Sequence, residues 1–230
     1  MKRSLIALLL TLVCGAPCAA QQVAMRTWVD SHGTTWTEVT TTKTVVDEPR
    51  SVRINAALAG FPRFGPFTVV DAGHAALVGE TDGKSPGLFK AMIQAFPGIR
   101  VLEMVDCPGT VDDGANLQLG RLIREHGLVT EVPSGGSVRS GGVELFLAGT
   151  TRRAAPDAEF GVHAWKDESG HQPGDSATDS AANQGYIDYY REMGLSPENA
   201  SAFYALTNSV PNEQMLWLHT RDIKRYVPVE

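Results

Sequence analysis

Two short segments hold the residue types that nucleophilic hydrolysis needs: Val138-Arg-Ser-Gly-Gly-Val-Glu-Leu-Phe-Leu-Ala-Gly149 and, twenty-three residues past its serine, Phe160-Gly-Val-His-Ala-Trp165. Ser140 precedes two glycines and an apolar run, which places it at the mouth of a helix whose free amides and positive dipole end favour an anion. His163 follows the strand-like Glu-Phe-Gly-Val and is positioned to accept the hydroxyl proton. A serine hydroxyl is a weak nucleophile at neutral pH without a base in hydrogen-bond reach, so the pair is more informative than either residue alone. Each also has an ordinary structural role, Ser140 as a helix cap and His163 as a satisfied strand-end histidine. Ser134 and Ser137 are minor nucleophile candidates in a Gly/Ser loop.

The elements that must hold this pair follow from hydrophobic periodicity. From Gly65 onward, short apolar strands alternate with helices: strands at Phe67–Val70, Ala75–Val78 and Ile99–Val105, and a helix over 86–96 closed by Pro97-Gly98. Ala115, Leu119, Leu122 and Ile123 share one helical face, with Gly127 as C-terminal cap, before a strand at Leu128–Val132. The apolar run 143–148 and the strand ending at His163 come next, and the polar, Gly-rich residues 167–180 read as a loop beside the site. Two helices close the chain, one over 186–193 ended by Gly194 and one opened by Ser196-Pro197-Glu198. Tyr186, Tyr189 and Tyr190 read as helix packing with partly exposed rings. Such alternation specifies an α/β domain over residues 65–230. Residues 21–60, rich in Thr and Val over 34–46, form a separate β-rich extension.

Residues 1–20 carry Lys2 and Arg3, the apolar stretch Leu5 to Val13, and small residues up to Ala20, the pattern of a secretory signal peptide cut after Ala20. The expectation is a periplasmic or secreted protein with no membrane span, since no apolar stretch is long enough to cross a bilayer. Removing Lys2 and Arg3 takes the formal charge from -6 to -8, which disfavours nucleic acid as a partner. Cys14 and Cys18 leave with the signal, so Cys107 has no disulfide partner. His32, His74, His126, His171 and His219 are not spaced as a metal set, and no cofactor motif is present. With 43% hydrophobic residues the chain is ample for one core.

The succession of a strand, Asp106-Cys-Pro-Gly-Thr110, an amphipathic helix, a serine nine positions before Gly149, Arg152-Arg153 and Gly161-Val-His163 resembles the Clp-type serine peptidases of the crotonase-like superfamily, and above all their exported bacterial relatives. The resemblance implies a spiral of ββα units with C-terminal helices, a peptide or protein substrate and homo-oligomers. It also implies Ser140 as nucleophile, His163 as general base, and the backbone amides of Thr110 and Gly141 as the oxyanion hole. One such amide is worth about 3 kcal/mol in a transition state.

Three positions depart from that pattern. Thr110 stands where the family turn has a second glycine, so its side chain is expected to crowd the acyl pocket. Val138-Arg-Ser-Gly-Gly142 replaces a Cys-Ala-Ser-Ala-Cys sequence and is nearer to the nucleophile segment of signal peptide peptidase A, whose lysine base has no counterpart here. Gln214 occupies the place of the family acid, which leaves the adjacent Glu213, or no acid at all, as the partner of His163. The competing function is a catalytically weakened member that binds peptides or assembles with a partner. Acyl-CoA chemistry on the same scaffold is disfavoured by export.

Overall fold

A computed structural model describes residues 10–12, 19–29, 35–45, 50–167, 169–175 and 180–230, with side chains described from residue 54 onward. The chain divides into two units, Met1–Arg50 and Ser51–Glu230. In the first, β1 (Leu10–Leu12), β2 (Ala19–Val29) and β3 (Thr35–Val45) form an antiparallel sheet in that order. Pairing of β2 with β3 runs from Ala19↔Val45 to Val29↔Thr35, through the Thr- and Val-rich stretch that favours extended backbone. Most of the expected signal segment, residues 1–9 and 13–18, lies outside the described residues.

The second unit begins one residue into α1 (Arg50–Ala57), followed by the strands β4 (Arg63–Phe64), β5 (Phe67–Val69) and β6 (His74–Val78) and the helix α2 (Ser85–Ala95). Next come β7 (Val101–Cys107), α3 (Asp113–Glu125), β8 (Val129–Val132), β9 (Ser137–Arg139) and α4 (Gly141–Leu147). The chain ends with β10 (Thr151–Ala154), β11 (Glu159–Val162), α5 (Ala181–Glu192), α6 (Pro197–Thr207), β12 (Leu216–His219) and α7 (Thr220–Ile223). A pair of strands leads into a helix in β5-β6-α2, β8-β9-α4 and β10-β11-α5, which is the expected ββα alternation with helices at the C-terminus.

These strands form one sheet in the order β12-β11-β9-β7-β6-β5-β4, with β8 and β10 branching from β7. The branch matters for the site. The first half of β7 pairs in parallel with β8 at Val101↔Val129 to Glu103↔Glu131, whereas its end pairs with β9 at Asp106↔Ser137 and Cys107↔Val138. The Gly/Ser connector expected between residues 133 and 142 therefore contains a strand whose Val138 is fully buried.

Helices cover the sheet with the faces their periodicity specifies: Phe89 and Met92 from α2, and Leu119, Leu122 and Ile123 from α3. Helix α4 is buried at every position, so its run is apolar without a polar face, Glu144 excepted. Caps end the helices where short polar residues and glycines stand. Asp112 accepts from Ala115 N at 2.9 Å, Ser196 accepts from Asn199 N at 3.2 Å, and Gly127 closes α3 at φ +68°. Buried Arg152 donates to Leu147 O and to Met193 O, satisfying carbonyls at the ends of α4 and α5. Among the described residues no helix is long and apolar enough to cross a membrane.

Candidate active site

Three parallel strands, β7, β9 and β11, end side by side, and the site is built on those ends. Register pairs Cys107 with Val138 and Arg139 with Gly161, so the turn after β7, the serine after β9 and the histidine after β11 are neighbours. Ser140 N donates to Gly161 O at 2.8 Å, extending the β9–β11 pairing to the nucleophile itself. Carboxyl ends of parallel strands leave open backbone and loops at one edge, which is where α/β sheets bind ligands.

Ser140 adopts φ +48° and ψ −131° and is, among the described residues, the one non-glycine with positive φ. Strand β9 meets helix α4 there in a single residue, and the turn is sharp enough that a side chain at this position is strained by about 1–3 kcal/mol. A strained serine between a strand and a helix is the geometry of a nucleophile elbow, which lifts the hydroxyl clear of its own backbone. The hydroxyl does not cap α4 and makes no hydrogen bond among the described residues.

The turn 108–110 lies against this elbow. Gly109 has φ +135°, and a Cβ there would stand 3.0 Å from Ser140 Cβ and 3.4 Å from its Oγ. Only glycine combines that backbone with that approach. Gly141 is equally constrained, since a Cβ would meet Thr110 Cγ2 at 2.6 Å. Thr110 and Gly141 are thus in contact, and neither backbone amide donates to an acceptor among the described residues. The Thr110 hydroxyl is occupied within the turn, donating to Thr81 O or Asp112 O and accepting from Asp112 N, each at 3.1 Å. The oxygen of Thr110 is thus held in the turn, while its methyl lies against Gly141 and the residue lines the cavity.

Asn116, which sequence reasoning passed over as a helix residue, ties these pieces together. It is buried, accepts from Thr81 Oγ1 at 2.9 Å and donates to Gly141 O at 2.7 Å, while Thr81 bridges Thr110. A half-buried ion pair, Arg139 Nη2 to Asp106 Oδ1 at 2.8 Å, joins β9 to β7 behind the elbow. Cys107 is fully buried, and burial pushes its thiol well above the usual range, so it packs and does not react.

His163 stands just beyond β11. Its Nδ1 is 2.8 Å from its neighbour's carbonyl, Ala164 O, and 3.1 Å from Asn212 Nδ2, which donates to the same carbonyl at 2.9 Å. A ring protonated on Nδ1 donates to Ala164 O and keeps the Nε2 lone pair free for a proton from serine. Glu213, the expected orienting acid, makes no hydrogen bond to this ring among the described residues. Its side chain is 60% exposed and its carboxylate pairs with Lys166 Nζ at 2.8 Å, with a Coulombic interaction with His163.

Ser140, Gly141, Thr110, His163 and Asn212 line a single cavity of about 660 Å³. Glu144, one helical turn from Ser140, is on the same wall, 8% exposed, and accepts from Tyr190 Oη at 2.7 Å. Burial pushes its carboxyl up to about 7. Asp113, at the start of α3, is also raised by burial, against a hydrogen bond from Tyr186. The tyrosines differ from expectation, because Tyr189 and Tyr190 are fully buried and Tyr186 and Tyr190 face the cavity. Asp167 reaches the rim from the loop 167–180, of which residues 168 and 176–179 lie outside the described residues.

No protein-family model matches the chain, and no curated protein matches it. Several solved structures are similar to part of the chain at low identity. A mutant of the 1510-N membrane-bound stomatin-specific protease is 16% identical with a TM-score of 0.46, over 68% of this chain and 76% of that one. A ClpP1 mutant from Listeria monocytogenes is 16% identical with a TM-score of 0.48, over 67% and 87%. A putative enoyl-CoA hydratase from Streptomyces coelicolor is 14% identical with a TM-score of 0.45, over 75% and 69%.

Proposed function

We propose that the chain is an exported serine hydrolase acting on peptide bonds. The observation that carries this reading is Ser140 at φ +48°, held on the ends of adjacent parallel strands between the turn 108–110 and His163 in one cavity. In the reaction His163 Nε2 takes the Ser140 proton as Oγ bonds to the substrate carbonyl carbon, and the carbonyl oxygen becomes an oxyanion held by the amides of Thr110 and Gly141. Collapse breaks the carbon–nitrogen bond, with the leaving amine taking the proton from His163. Water then repeats the sequence, returning the hydroxyl to Ser140 and releasing the acid.

Labelling by a fluorophosphonate tests the nucleophile: wild-type protein is expected to be modified on Ser140, and the Ser140→Ala variant not. Equal labelling of the two sinks the reading. Export is tested by sequencing the N-terminus of protein secreted by a bacterial host, where Gln21 is expected to come first. A second reading, binding of peptides without turnover, is favoured by a Ser140 hydroxyl and a His163 ring that, among the described residues, are hydrogen-bonded by no base and by no carboxylate respectively. Purified protein that binds peptides for hours and releases them intact, with no phosphonate adduct, would establish it in place of the first.

A further inference from the structure

The cavity wall beside Ser140 carries a carboxyl group where burial calls for hydrocarbon. Glu144 lies four residues past the nucleophile on a helix whose other positions are buried, small or apolar. Four residues of helix rise about 6 Å, roughly the reach of a lysine or arginine side chain from its backbone. Asp113 faces the same cavity from α3. Among the described residues no lysine or arginine forms an ion pair with either carboxylate; Lys166, also on the wall, is paired with Glu213 at the rim. A buried acid without a counter-cation, Glu144, is costly to ionise unless something bound supplies positive charge, and the exposed Asp113 adds a second carboxylate to the same cavity.

The rest of the lining suits an organic cation. Trp165, Tyr186, Tyr190 and Tyr204 bring aromatic surface to the cavity, and the Tyr186 and Tyr204 rings lie 6.2 Å apart at 31°. Trp165 Nε1 donates to Tyr204 Oη at 2.8 Å, which fixes that wall. Aromatic faces attract ammonium and guanidinium groups, and more strongly when water is excluded. Asn208, on the same wall, has a buried Oδ1 that accepts no hydrogen bond, a further acceptor short of a donor. A metal ion is a poorer fit, because among the described residues no three His, Cys, Asp or Glu side chains converge to hold one.

We infer that this cavity is a specificity pocket for a cationic side chain, a lysine or arginine on the residue that supplies the attacked carbonyl, with Glu144 and Asp113 reading the charge and Tyr186 and Tyr204 walling its stem. The inference rests on the hydrolase reading of Ser140 for the position of the scissile bond, but the pocket itself is testable apart from it.

Two peptidyl diphenyl phosphonates, one with a lysine-like and one with a norleucine-like side chain next to phosphorus, are reacted with wild type, Glu144→Gln and Asp113→Asn, and the adduct is followed by intact mass. The lysine analogue is expected to label Ser140 about tenfold faster than the norleucine analogue in wild type, and the ratio to fall towards one in the variants. Equal rates in wild type, or faster labelling by norleucine, overturn the inference while leaving the nucleophile assigned. In parallel, calorimetric titration with benzamidine reads the pocket without the serine. Binding that weakens about tenfold in either variant supports the pocket even if neither phosphonate reacts, an outcome that removes the hydrolase reading alone. No benzamidine binding to wild type overturns the pocket. Circular dichroism establishes that each variant is folded, and if one fails to fold the other carries the comparison.

Discussion

The amide nitrogen of Asn212 lies 3.1 Å from Nδ1 of His163 and donates to the carbonyl of Ala164, which that ring nitrogen also faces at 2.8 Å. Among the described residues, the groups at hydrogen-bond distance from this ring nitrogen are neutral. In a serine hydrolase a carboxylate at this place both selects the tautomer and stabilises the imidazolium that forms during attack. Asn212→Asp is expected to raise kcat about tenfold with little change in KM as the imidazolium formed during attack gains a negative neighbour. Asn212→Ala is expected to lower kcat by about tenfold while phosphonate labelling persists at a reduced rate. Steady-state kinetics across pH 5 to 9 checks both.

The elbow stores strain, and the strain is removable. Glycine adopts φ +48° without the clash of a Cβ, so Ser140→Gly is expected to be more stable than Ser140→Ala by about 1 kcal/mol, although both lack the hydroxyl. Urea unfolding of the two variants, compared at equal slope, reads the difference.

Gly109 has the opposite sign. At φ +135°, and with a Cβ only 3.0 Å from Ser140 Cβ, Gly109→Ala must shift either the turn or the nucleophile. A loss of about 2 kcal/mol in stability is expected, with phosphonate labelling slowed by a factor of about 100 as the elbow and the Thr110 amide move apart. A variant that labels at the wild-type rate would show that the turn does not support the nucleophile.

Glu144 sets a pH dependence of stability. Its ordinary value is 4.5 and in the folded chain burial holds it at about 7, so the native state binds a proton that the unfolded chain has released. Below pH 4.5 the carboxyl is protonated in both states and costs nothing; above pH 7 it is ionised in both and the folded state bears the buried charge. Stability is thus expected to fall between those limits by something on the order of 3 kcal/mol, and Asp113 shifts in the same direction. Glu144→Gln keeps an acceptor for Tyr190 and removes the charge. It should match wild type near pH 4.5 and exceed it near pH 8 in denaturant unfolding, and a constant difference at both would refute the assignment.

Much of the scaffold was readable because strand alternation and helical periodicity are local. The strand at 67–69, the amphipathic face of Leu119, Leu122 and Ile123, and the caps at Asp112, Gly127 and Ser196 all follow from residues a few positions apart. The strand β9 was missed because three residues inside a Gly/Ser connector give no period, and only pairing with β7 and β11 makes Ser137–Arg139 a strand. Helix α4 was recognised as apolar, but a helix buried on all sides has no polar face to reveal which of its positions meets a cavity.

Ser140, its glycines, the turn at Pro108 and His163 are visible in the chain as written, since each depends on chemistry confined to one short segment: a hydroxyl before a helix, a backbone that needs glycine, an imidazole at a strand end. Their common cavity, Asn212 at the ring in place of Glu213, and Glu144 beside the nucleophile are of another kind. The hydrogen bonds that hold them join residues 46 to 49 positions apart, and the adjacent Asn212 and Glu213 reach different partners, His163 and Lys166, once the loop is packed. Direction of that sort is a property of the folded surroundings, because it depends on which distant groups occupy the space on either side.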